Sequence, residues 1–487
     1  MALLLISSVS GYEVLNSSPQ HSIDQTQTGT LIDTPKIGVV ENQTVTTFVV
    51  PIENNSAKTP DENHNAIEYN RSAIETETQS QLISNETILL SAIDALRATG
   101  GHIVLENSIT IMGKDVLLPS NIELSGATAQ TTISFAGKNL QIAANAQNIS
   151  IKDLTIDATN LGDRYGLVIG QNASNISIDN VAFYNYNSKE ACLLNNGNNV
   201  TINKTSFFNV TQAYPIQING SDANVTNSNS NDNSVYSLVN VCGGLYDINV
   251  INNSAINRPL FYANYGATPT KNILIENNIM YFPNSTYGIL VRGGMGDYLP
   301  VSDENVIVKG NSIQAAPGAW NAIAIYGLTR NVLVENNTVN MSQSGHNGIG
   351  VSSGINVTVT SNTVFGSTES TEGGIEAESN PVHNRAVGIS ENVTITKNTV
   401  YNSTWGIYVR VMDPNNANWN GTILRSKNIV IEDNTVYACG VGVNLLYGEN
   451  LIVRNNEITA NTVPFKVDTS NVFNYTVKDN DGLSLTT

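Results

Sequence analysis

A single motif recurs along most of this chain: Asn, apolar, any residue, apolar, two polar residues, Asn, any residue, apolar. It reads Asn272-Ile-Leu-Ile-Glu-Asn-Asn-Ile-Met280, Asn305-Val-Ile-Val-Lys-Gly-Asn-Ser-Ile313 and Asn331-Val-Leu-Val-Glu-Asn-Asn-Thr-Val339. It returns at Asn356, Asn392, Asn428 and Asn450, with looser copies from Asn121, Asn148, Asn175, Asn199, Asn224, Asp247 and Asn474. Successive starts are 22 to 27 residues apart in most steps. Within a copy the apolar residues alternate with polar ones, the period of a strand with one buried face. A unit this short cannot bury that face alone, so neighbouring units must stack and share a core. The predicted fold is all-β, a solenoid of parallel coils with three short strands each. At ~4.8 Å per coil, about 14 coils make a rod roughly 65 Å long.

A further strand closes each coil: Gly288-Ile-Leu-Val-Arg292, Ala322-Ile-Ala-Ile-Tyr326, Gly348-Ile-Gly-Val-Ser352, Gly374-Ile-Glu-Ala-Glu378, Gly406-Ile-Tyr-Val-Arg410 and Gly442-Val-Asn-Leu-Leu446. Its second and fourth positions are expected to face the core, its third and fifth the outside. The fifth positions form a polar stripe, Arg292, Tyr326, Ser352, Glu378 and Arg410, with Glu376 and Tyr408 beside it. Three long insertions, Gly293–Glu304, Ser379–Glu391 and Val411–Lys427, all follow this same strand. Insertions on one side of a solenoid wall off a binding face. The plain alternative is an exposed Glu378–Arg410 ion pair, worth under about 1 kcal/mol.

The second Asn of the motif (Asn278, Asn311, Asn337, Asn362, Asn398, Asn434, Asn456) falls at one turn of every coil. Asparagine tolerates left-handed backbone and can bond the asparagine a coil away, so this column is expected to be a structural ladder. Ahead of the repeats, residues 87–98 have helical spacing that puts Ile88, Ala92, Ala95 and Leu96 on one face before Gly100-Gly101 stops the helix. Residues 12–84 read as a polar linker or stalk with one strand within Val45–Val50, and 85–487 as the solenoid. Residues 1–11 resemble the end of a secretion signal, which with the many Asn-X-Ser/Thr sequons, Asn16, Asn42, Asn70 and Asn284 among them, leads us to expect a glycosylated extracellular or cell-surface protein.

Only 13% of residues are charged, and the net charge is −18. That field repels phosphate backbones and excludes nucleic acid as the expected partner. No run approaches the ~20 apolar residues of a membrane span. Cys192, Cys242 and Cys439 are too few for a disulfide framework. Cys192 and Cys242 lie two coils apart, about 9–10 Å between stacked backbones, beyond the ~7 Å that a disulfide spans.

The repeats, the short helix, Gly100-Gly101 and Leu118-Pro-Ser-Asn-Ile-Glu-Leu-Ser-Gly126 resemble the pectin-lyase-like superfamily of right-handed parallel β-helices, over about residues 85–480. The resemblance implies contact with extended polysaccharide. It leaves open a non-catalytic adhesin, sheath or spike component, which the polar stalk favours, or a polysaccharide lyase, C5-epimerase or glycoside hydrolase. Catalytic candidates are Glu376, Glu378, His383 and Arg410; substrate-binding candidates are Arg292, Tyr326, Ser352, Tyr408 and Arg385. Lyase or epimerase chemistry would use an arginine against the uronate carboxylate, His383 as base and a tyrosine as acid, whereas hydrolysis would use the Glu376/Glu378 pair. The polygalacturonase set Asn-Thr-Asp, Asp-Asp, Gly-His-Gly and Arg-Ile-Lys is missing, as is the epimerase signature Asp-Pro-His-Asp. No cofactor is expected. Glu376, Glu378 and Asp413 are the candidates for a calcium site, and no CxxC or HExxH motif occurs.

Overall fold

The alternation of valine and isoleucine with polar residues folds as the spacing requires. In a computed structural model, which describes residues 47–50 and 86–482 except 264–267, 294–302, 367–371, 381–387, 412–423 and 460–461, most motif copies supply two strands, as in Lys271–Glu276 and Ile279–Phe282, while those at Asn148 and Asn175 each run as one long strand, Gln147–Asn160 and Ser174–Tyr184. The closing strand, here Ile289–Arg292, is the third. The first two strands of every coil join a 28-stranded sheet, and the third strands form a 14-stranded one. All named strand pairs are parallel and, outside one bulge near Ser134, keep register from coil to coil.

Register places like residues in columns that fill the interior. Val308, Val334, Val359, Ile395 and Ile431 stack one per coil, each at most 1% exposed. Parallel strands packed in this way are stabilised chiefly by burial, about 1.5–3 kcal/mol for a wholly buried valine or isoleucine. The helix, Glu86–Leu96, covers the first coils through Leu89, Ala92, Ile93 and Leu96. Ile88 and Ala95, expected on that face, are exposed instead. The buried stripe is thus offset by about one residue, because Leu89 and Ile93 outweigh Ala95 in apolar area. Gly100, at φ +72°, ends the helix, and its N–H donates to the carbonyl of Leu96 at 2.7 Å. Thr47–Val50 forms a strand beside Gly101–Leu105, so the stretch read as polar linker contributes one strand to the sheet.

The inner asparagine ladder is present and every rung is saturated. Asn278 donates both its backbone N–H and its side-chain amide to Oδ1 of Asn311, at 3.0 and 2.9 Å, and again to the carbonyl of Val250. The same pattern runs through Asn337, Asn362, Asn398, Asn434 and Asn456 to Asn480. The left-handed backbone, however, is not at these residues. It falls on the residue before each, such as Asn277, Asn336 or Asp433, and on the first Asn of the motif, such as Asn272, Asn305 or Asn331. Those first asparagines form a second, exposed ladder, with amide-to-amide bonds of 3.0 Å from Asn305 to Asn272 and 2.9 Å from Asn428 to Asn392. Asparagine is used twice per coil for different reasons: amide satisfaction inside, and low-cost positive φ outside.

All three cysteines are free. Cys192 precedes the strand Leu193–Asn195 and Cys242 follows Val239–Val241, so they lie at opposite ends of their strands as well as two coils apart. Burial pushes the thiol of Cys192 well up. Thiol titration of denatured, unreduced protein is expected to find three thiols, and fewer would refute the register at this point. In the native protein Cys242, which is only partly buried, should react first.

Candidate functional site

The closing strands carry their second and fourth positions inward, as in Ile375 and Ala377 or Ile407 and Val409, all 0% exposed. The outward columns align as expected. Arg292, Tyr326, Ser352, Glu378 and Arg410 are register partners in successive coils, as are Leu290, Ala324, Gly350, Glu376 and Tyr408. The face is not an open sheet, however. Glu376 is 2% exposed, Glu378 3%, Ser352 1% and Tyr408 0%. Side chains from the turns just before these strands close over it.

At the centre lies Arg410. Its Nε donates to a carboxylate oxygen of Glu376 and, at 2.9 Å, to Glu378, and an Nη donates to Glu372 at 3.2 Å. In place of the exposed Glu378–Arg410 pair of the plain alternative there is a largely buried cluster of three carboxyls around one guanidinium. Ser352 donates to Glu378 at 2.9 Å. The amide of Asn347 donates to Glu376 at 2.5 Å and to Glu372 at 3.0 Å, while its Oδ1 accepts from the Tyr408 hydroxyl at 2.5 Å. His346 meets Glu372 through Nδ1 at 3.2 Å. Two glycines make room. A Cβ on Gly350 would fall 2.4 Å from the Asn321 amide, and one on Gly373 would fall 2.8 Å from the Tyr408 ring.

A cleft of about 130 Å³ opens over this cluster, lined by Glu372, Glu376, Glu378, Arg410, His346 and Asn347, with Tyr287, Trp320, Asn321 and Tyr326 as its other wall. Tyr287 meets Trp320 edge-on at 4.9 Å and Tyr326 at 5.4 Å. Trp320 is 39% exposed. Burial, with Glu378 alongside, pushes the Glu376 carboxyl well above the ordinary range despite Arg410. Burial also acts to raise Glu372, but the His346 hydrogen bond and the charge of Arg410 outweigh it and hold Glu372 low. Burial pushes the phenols of Tyr326 and Tyr408 well up. The cluster thus holds two carboxyls pushed in opposite directions, Glu376 up and Glu372 down, the kind of division that acid–base chemistry uses.

Of the residues singled out from sequence, the structure brings Glu376, Glu378, Arg410 and Tyr326 to the cleft. Tyr408 and Ser352 lie beneath it: Tyr408 packs on Trp405 at 5.0 Å and supports Asn347, and Ser352 supports Glu378. Arg292 stands at the end of the stripe, beside Tyr326 in the next coil. His383, Arg385 and Asp413 lie outside the described residues, as do the middles of the three insertions. The near ends of the second insertion meet in a bridge between Asn380 and Gly388. Glu376 and Glu378, named as calcium candidates, face a guanidinium. Among the described residues no group of three or more His, Cys, Asp or Glu side chains is arranged so that it could hold a metal ion. Trp320, Asn321, His346, Asn347 and Glu372 were not foreseen. Their one signal is positional: they recur two and three residues before the register-matched isoleucines Ile323, Ile349 and Ile375.

Residues 265–410, which include every lining residue named for the cleft, match a family model described as a right handed beta helix region. With the register above, this makes the chain a right-handed parallel β-helix repeat protein. No curated protein matches it by sequence. Among solved structures it is similar to the A-module of an Azotobacter vinelandii mannuronan C-5 epimerase, at 16% identity over 80% of this chain and 95% of that one, TM-score 0.46. It is also similar to tailspike protein 3 of bacteriophage CBA120, at 14% identity over 82% and 60%, TM-score 0.47. A third is the surface adhesin PfbA of Streptococcus pneumoniae, at 15% over 79% and 89%, TM-score 0.40. No helix among the described residues is long and apolar enough to cross a membrane.

Proposed function

We propose that this protein contacts extended polysaccharide at the cleft over Arg410, in an extracellular or cell-surface setting. One observation carries the proposal. In the column that holds Glu376, the preceding coils carry Leu290, Ala324 and Gly350. An ion cluster buried here costs desolvation that an apolar residue would not, and such a departure from the repeat marks a site more often than a scaffold. The departure coincides with an aromatic wall and hydrogen-bonding amides, the parts that hold a sugar ring by stacking and by its hydroxyls. Coil spacing of ~4.8 Å, close to the length of a sugar ring, lets a glycan lie along the rod.

Trp320→Ala is expected to weaken glycan binding at least about tenfold while leaving the melting temperature unchanged, because the ring is part-exposed. Affinity electrophoresis against a polysaccharide panel measures the first and calorimetry the second. Unchanged retention of the variant on every glycan that retains the parent would sink the proposal. The carboxyl of Glu376, pushed up by burial, beside that of Glu378 favours hydrolysis as a second reading. On that reading new reducing ends appear during incubation and vanish with Glu376→Gln.

A further inference from the structure

Resting on the glycan contact proposed above, we infer that the cleft takes neutral sugar chains and discriminates against polyuronates, because Arg410, the one arginine lining it among the described residues, is already enclosed by three carboxyls. A uronate site needs a cation with capacity to spare. Arg410 instead gives Nε to Glu376 and Glu378 and an Nη to Glu372, and lies over the Tyr408 ring at 5.3 Å. Glu372 and Glu378 line the same cleft, so an incoming carboxylate meets like charge there. A neutral ring meets carboxylate acceptors for its hydroxyls and the part-exposed Trp320 for its apolar face. The molecule as a whole carries −18 and adds long-range repulsion of polyanions.

The test is titration calorimetry of the full chain with oligosaccharides of equal length, one series of neutral hexans and one of polyuronates, at ~20 mM and ~500 mM salt. Neutral chains should bind, and their affinity should hardly respond to salt. Polyuronates should bind at least about tenfold more weakly at low salt, with the gap narrowing at high salt as screening sets in. Glu372→Gln, which removes one charge and keeps a hydrogen-bonding amide, should narrow the low-salt gap several-fold. Polyuronates binding as tightly as neutral chains at low salt would overturn this inference and leave the proposed glycan contact standing. Binding of neither series would overturn both.

Discussion

Val359→Asp should cost this protein several kcal/mol of folding stability, whereas Thr358→Asp, one residue away, should change it by no more than about 0.5 kcal/mol. Val359 is 0% exposed and lies between Val334 and Ile395 in the inward column. A carboxylate there has neither water nor a partner, and every coil above and below depends on the same column. Thr358 points outward between Leu333 and Thr394 and is half-buried. Urea unfolding of the two variants measures the difference, and equal midpoints would mean that the register is shifted by one residue.

Arg410→Met should be nearly as damaging, by about 3–5 kcal/mol near pH 8. Methionine fills much of the volume but leaves Glu372, Glu376 and Glu378 facing one another without a cation. The loss should depend on pH with a definite sign. A carboxyl whose value is raised by folding contributes stability below its ordinary value, about 4.3, and loses it as pH rises through the folded value. Glu376 already behaves so in the parent protein because of its burial and Glu378. Glu372 has the opposite sign in the parent: its stabilisation is present above the ordinary value and fades as pH falls, being due to His346 and Arg410. Without Arg410 the cluster as a whole should shift toward the Glu376 pattern. Stability curves for the variant and the parent should therefore converge near pH 4 and diverge toward pH 8. A loss that is the same at both ends would show that Arg410 acts by packing and not by charge.

The fold was legible because the constraint repeats. Each inward position must be apolar in every coil, so one motif seen many times gives strand, spacing and direction of stacking at once, and the column Val334, Val359 and Ile395 could be named from spacing alone. The inner asparagine ladder was legible for the same reason, although which residue takes the left-handed backbone was not, because asparagine serves both needs within a few positions of the same motif. The stripe of Tyr326, Glu378 and Arg410 was legible because register carries one position of a coil onto the next.

What the sequence left open was everything set at the corners of the coil. Trp320, Asn321, His346, Asn347 and Glu372 stand in turns, where no apolar period marks them and only the path of the chain brings them over the strands. That covering turned an outward face into a buried one. It took Tyr408 and Ser352 out of reach of a ligand and into support of Asn347 and Glu378, and it drew three carboxyls onto one arginine. The upward shift of the Glu376 carboxyl follows from that burial, since desolvation depends on what surrounds a group in space and not on its neighbours along the chain.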